Sequence, residues 1–214
     1  MHLCPKVIGL TNVCPLQYHR YEYSQSNCPT PYGITKSELA LMNKFRMLWE
    51  QHVVWTRIVI IGIVFDLPGT DSATRRLLQN PLDFEAVLKK FYGDEIASKF
   101  SNLFTNHLLI AANLVNAAKA GNSSAAADAE KEWYANADEI AAFLGSINPY
   151  WSEDQWKDML HRHLELTKSE AVDLLTKNYE ASITTYDEIE RQALEMADMM
   201  AKGIIKQFPE KFTR

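Results

Sequence analysis

Cysteine is missing from every position after Cys28, although the chain runs to 214 residues. The three that exist are Cys4, Cys14 and Cys28. That excludes a disulfide framework for the bulk of the chain, and it excludes a core thiol nucleophile. Glycine and proline are scarce, at eight each. No Walker loop and no G-x-G-x-x-G occurs, so the glycine-rich cradles that hold nucleotide phosphates are excluded. No G-x-S-x-G elbow and no H-E-x-x-H helix is present either. Basic residues are outnumbered, with 22 Lys and Arg against 27 Asp and Glu. No basic stretch exists, so an electrostatic nucleic-acid partner is not expected. Long apolar runs are also lacking. The most apolar run, from Ile58 to Phe65, is 8 residues long, whereas a membrane span takes about 20. The opening MHLCPKVIGL shows no small-residue cleavage site. The expectation is a cytoplasmic protein without a membrane partner.

The composition, 47% hydrophobic and 23% charged, is that of a globular chain. Residues 1–34 stand apart, with all three cysteines, four prolines and four tyrosines and no sustained period. They read as an irregular N-terminal arm. Cys4, Cys14 and Cys28 with His2 and His19 are potential zinc ligands, but no C-x-x-C pair is among them.

Residues 35–209 read as one helical domain. Thr35 with Glu38 fits a capping box. Leu41, Phe45, Leu48, His52, Trp55, Val59 and Gly62 then recur at helical steps, and this helix should end near Asp66, before Pro68-Gly69. A connector is expected next, with Asn80-Pro81 opening a short helix to about Phe91. Gly93 should break it. A long helix is expected over 94–120, with Ile96, Phe100, Leu103, His107, Ile110, Leu114 and Ala117 on its seam. A third helix is expected from 124 to 146 and a fourth from 153, with Ser152 and Gln155 at its start. Thr167 and Glu170 either cap a new helix or lie within a continuing one. The fold class expected is all-α: an up-and-down four-helix bundle with additional short helices and the irregular arm.

The helices echo one another around their histidines. His52, His107 and His163 each follow an aromatic seven residues earlier, namely Phe45, Phe100 and Trp156, and a large apolar pair between. Mid-helix positions of antiparallel neighbours fall in one layer. Three imidazoles could therefore meet, joined by Asp138 or Asn136 of the third helix. Neutral imidazole suits a transition metal, with zinc or iron as the divalent candidates. Burial favours that neutral form. Glu50 and Glu139 lie near enough to support such a site, and Arg57, on the face of Glu50, would suit an anionic ligand. Trp55 completes the candidate pocket. His161, two residues from His163, should face the surface. No Glu-x-x-His pair of the di-iron type is present.

Two readings stay open: a metal or small-ligand site between helices, or a non-catalytic structural or interaction protein whose histidines form a buried polar layer. An enzyme built on the first would be a metal-dependent hydrolase or transferase. A homo-oligomer is left open.

The stretches LALMNKFRMLWEQHVVWTR, FYGDEIASKFSNLFTNHLLIAA, WYANADEIAAFLGSINPYW and YDEIERQALEMADMMAKGIIKQFP resemble an uncharacterised family of small all-helical proteins of spore-forming bacteria. The resemblance covers about residues 37–209. It implies a helical fold and transfers no activity. Some members carry the label acetylglutamate kinase. Kinases of that type are longer α/β proteins with parallel strands and phosphate loops, which this chain lacks, so the label reads as a misannotation, and kinase activity as labelled is a third reading behind the two above.

Overall fold

A computed structural model describes residues 33–213. The arm and its candidate zinc ligands Cys4, Cys14, Cys28, His2 and His19 lie outside the described residues. The described chain is all-helical, with no strand.

Helix α1 spans Lys36–Phe65. Its start is a full capping box: the Thr35 hydroxyl accepts from Glu38 N at 3.2 Å, and Thr35 N donates to Glu38 Oε2 at 2.6 Å. Leu41, Phe45, Leu48, His52, Val53, Val59 and Gly62 are buried along it. Among the described residues α1 is also the one helix long and apolar enough, by length and composition, to cross a membrane. In this fold its buried side chains pack against α2 and α5, which follow.

Helix α2 spans Thr70–Lys119 and is interrupted at Gly93, whose φ of 80° and ψ of 176° are not helical. Twenty residues of unbroken helix would cover about 30 Å. Yet the rings of Phe84 and Phe104 are centred 5.3 Å apart. The chain therefore doubles back at Gly93, and arms 70–92 and 94–119 lie side by side. Glycine suits the point because a side chain is strained at that φ.

The first arm corrects the expected connector. It begins at Thr70, and Pro81 sits inside it. Asn80 is not a cap; its Nδ2 donates to Leu48 O at 3.0 Å in the core. Ala73, Leu77, Asn80, Phe84 and Val87 form a buried seam with helical steps. Burial of that seam outweighs the one backbone hydrogen bond that Pro81 cannot donate.

Helix α3 is Ser123–Ile147, capped by Asn122. Helix α4 is Glu153–Leu175, capped by Ser152 on Gln155 N. Thr167 and Glu170 lie within it. The break comes at 176–178, where Lys177 has φ 63°. Helix α5 follows as Tyr179–Gln207, and a short 3₁₀ turn, η1, closes the chain at Pro209–Phe212. The additional helices, the 70–92 arm and α5, are thus long ones.

Pairings across the interfaces give directions. Phe45 meets Phe84, and Leu48 meets Asn80. Lys99 lies over Phe143, and His107 meets Trp133. Glu130 pairs with Lys168, and Asp138 with Lys157. Asp173 bonds Thr185 and Met159 bonds Gln192, and between α1 and α5 Arg46 pairs with Asp198 while Arg57 reaches Ser182. In each case the number rises on one helix as it falls on the other, so each sequential pair of helices is antiparallel. The links between them are short, as such neighbours require.

One end of the interior is packed with aromatics. Phe45, Trp49, Phe84, Phe100, Phe104 and Trp156 are all buried there. In the same region Trp151, from the α3–α4 link, lies on α5 and donates its Nε1 to Met199 O at 3.2 Å. Gly203 makes room for it: any Cβ at that position would sit on the indole.

Candidate functional site

His52 comes from α1, His107 from the 94–119 arm of α2 and His163 from α4. All three are buried. The rings of His52 and His163 are centred 5.6 Å apart. Phe104 lies between the others, 4.9 Å from His52 and 6.2 Å from His107.

Their hydrogen bonds fix how each ring is used. Trp133 Nε1 donates to His107 Nε2 at 3.1 Å, so that nitrogen carries no proton. The proton is on Nδ1, which donates to Asn136 Oδ1 at 2.9 Å. Asn136 Nδ2 in turn donates to Leu103 O. Both ring nitrogens of His107 are therefore committed. His163 Nδ1 donates to Gln192 Oε1 at 3.0 Å, and the Gln192 amide is oriented by donating to Met159 O at 2.8 Å. His52 Nδ1 is buried with no partner among the described residues.

Burial keeps these rings neutral. It holds His107 down at about 3, against the hydrogen bond to Asn136, with His163 adding to the depression. It holds His163 at about 4, opposed by Gln192. His52 lies well below the ordinary value, through burial first and then its two histidine neighbours.

The other candidate residues are spread around this layer. Asp138 faces outward, with its two carboxylate oxygens on Lys157 and His161 at 2.9 and 2.7 Å. Its side chain is 42% exposed, so it does not join the three rings. The reason is register: Asn136, two residues earlier on α3, takes the inward direction, and His161 reaches Asp138 from the outer face of α4. Glu139 is exposed and borders a shallow depression with Lys99 and Phe143. Glu50 is half-buried beside Glu190; burial first, and then that carboxyl, raise its pKa. Trp55 packs with Val59, Ala73, Leu77 and Leu108, under the guanidinium of Arg76. Arg57 forms an ion pair with the buried Glu170, donates to Ser182 O at 3.1 Å and lies 5.0 Å over Tyr186. Burial lifts Glu170 to about 7 against the opposing pull of Arg57. Among the described residues no group of three or more His, Cys, Asp and Glu side chains is placed to hold a metal ion.

The residues beyond the histidines make the more open feature. One turn on from His52 and His163 stand Thr56 and Thr167, and from that level outward the core is not filled. Val59, Leu77 and Leu108 form one small cluster, and Ile60, Val115, Ala171 and Leu174 another. Between them lies a cavity of about 280 Å³. Its wall comes from α1, both arms of α2, α3 and α4, and is largely aliphatic. Small side chains create it: Ala111, Ala112, Ala118, Ala126, Ala127 and Ala171 all line it where larger residues would close the gap. The Thr56 and Thr167 hydroxyls are buried with no partner among the described residues. A helical threonine ordinarily bonds a carbonyl one turn back, as Thr74 does with Thr70 O at 2.9 Å. These two do not. Trp133, donor to His107, also lines the cavity, so the histidine layer and the cavity share a wall.

No signal in the sequence announced the cavity or Gln192. Alanines on helical seams read as ordinary core, and an amide on α5 carries no motif. No protein-family model, no curated protein and no solved structure matches the chain.

Proposed function

We propose that this protein binds a small organic ligand between its helices, in the cavity that borders the histidine layer. The scaffold we read as an up-and-down bundle in which the expected four-helix core is enlarged by α5 and the 70–92 arm. The observation that carries the reading is the cavity itself: about 280 Å³ of mainly apolar space, lined among others by Thr56 and Thr167, whose buried hydroxyls have no partner among the described residues. Interiors normally close such space, and small-molecule sites are apolar cavities with a few polar groups. A volume of this size lies near the lower end of the range for ligand sites.

The histidines support the site rather than bind a metal in this arrangement. A three-histidine metal centre needs a lone pair from each ring, and the Nε2 lone pair of His107 is taken by Trp133. The same bonds favour the second reading, a structural polar layer. His107–Asn136 ties α2 to α3, and His163–Gln192 ties α4 to α5, which sets helix register.

The test is titration of the full chain with the neutral fluorophore naphthalene, whose ten carbon atoms match the space. Saturable one-to-one binding is expected, and Ala112→Leu and Ala126→Leu should each weaken it at least about tenfold by filling the space. Absence of saturable binding, or binding that ignores both substitutions, overturns the ligand reading and leaves the structural layer.

A further inference from the structure

We infer that the occupant of this cavity is an uncharged molecule with an apolar body and one hydroxyl or carbonyl oxygen, whose polar end is held by Thr56 and Thr167. The inference rests on the ligand reading above and specifies its chemistry.

Three observations lead to it. The wall offers aliphatic surface from every side, including Val59, Ile60, Leu77, Leu108 and Val115. An apolar body is what such surface takes up. Second, among the residues that line the cavity, those whose buried polar atoms lack a partner are two threonines: Thr167 is only 4% exposed, and its Oγ1 and that of Thr56 are unpartnered among the described residues. A hydroxyl can donate or accept, so it matches an alcohol or a ketone equally. Leaving it unmatched is costly, which gives the ligand's polar atom a defined place.

Third, nothing in the wall compensates a buried charge. The charged residues lining the cavity are Glu130 and Lys168, and they are paired with each other at 2.5 Å. Both reach solvent, with side chains 31% and 44% exposed. The three histidines nearby are neutral, so they supply no cation for a carboxylate or phosphate. An ionised group without a partner is far costlier to bury than a hydroxyl. Size completes the description. A cavity of about 150 Å³ holds benzene, so about 280 Å³ accommodates roughly ten non-hydrogen atoms at the same packing.

The experiment is displacement of naphthalene, itself of ten non-hydrogen atoms, from the full chain by 1-octanol, n-octane and octanoate at pH 8. Octanol should displace best. Thr167→Val, which keeps the shape and removes the hydroxyl, should weaken octanol by about five- to tenfold, the value of one neutral hydrogen bond. It should leave octane within about twofold, since no polar contact is lost. Retained octane binding shows that the variant is folded, and Thr56→Val gives a second, independent variant with the same expectation. Equal displacement by octane and octanol, unchanged by either substitution, overturns the inference: the cavity then selects only by shape. Displacement by octanoate stronger than by octanol, and lost in Lys168→Met, also overturns it, by placing an anion at the rim. In both outcomes the fluorophore still binds and the ligand reading stands. Failure of the fluorophore to bind at all removes that reading and this inference together.

Discussion

His107 and His163 show how a buried titratable ring couples a fold to pH. Unfolded histidine has a pKa of about 6.5. In the fold His163 is held at about 4 and His107 at about 3 by burial. Between those values and about 6.5 the unfolded chain binds the proton and the folded chain does not. The stabilising effect of neutral histidine is therefore complete above about pH 6.5 and is lost as the pH falls toward the folded values. Each such ring contributes up to about 1.4 kcal/mol per pH unit in that window. Glu170 works in the opposite sense. Its pKa is raised to about 7 by burial, so its contribution is present below its unfolded value and lost as the pH rises through about 7. Placing His163→Leu in a Glu170→Gln background isolates the histidine term. Urea midpoints at pH 5 and pH 7 should differ less in the double variant than in Glu170→Gln alone. An unchanged difference would show that His163 is not held neutral. The register that brings these rings together was visible in the sequence, because each sits on a seam at helical spacing. Their partners were not. Asn136 and Asp138 look interchangeable on paper, and only the rotation of α3 puts the amide inside and the carboxylate on Lys157 and His161.

At the scale of elements, starts and stops follow local chemistry. Thr35, Asn122 and Ser152 cap their helices through side-chain oxygens, and Gly93 reverses α2. Where local rules and packing conflict, packing prevails, as Pro81 inside the 70–92 arm shows. The contact of Trp151 with Gly203 is of the same kind: a link between two helices is anchored on a third. Gly203→Ala should cost about 1–3 kcal/mol in chemical denaturation, because the methyl group must displace the indole. In a Trp151→Ala background the same substitution should cost much less, and a double-mutant cycle measures that coupling. Additive effects would mean that the indole does not rest on Gly203.

Over the whole described molecule, the histidine layer divides two differently packed halves. One is filled by interlocking aromatics; the other keeps a cavity between two small aliphatic clusters. A cavity kept for a ligand costs stability, so filling it should have opposite effects on folding and binding. Ala126→Leu should raise the stability of the ligand-free protein by about 0.5–2 kcal/mol while weakening the fluorophore, as calorimetry and titration on the same sample would show. Loss of stability together with binding would instead indicate that the space is already closed in solution. The sequence by itself determined that the chain from Thr35 on is helical, where most helices begin and end, and which seams are apolar. Those properties depend on hydrogen bonds and side-chain spacing within a few residues. Only the tertiary structure decided that Pro81 stays in a helix, which polar groups face the histidines and that a cavity lies beside them. Periodicity marks a face as apolar, but whether facing surfaces fill the space between them depends on side chains from several helices at once.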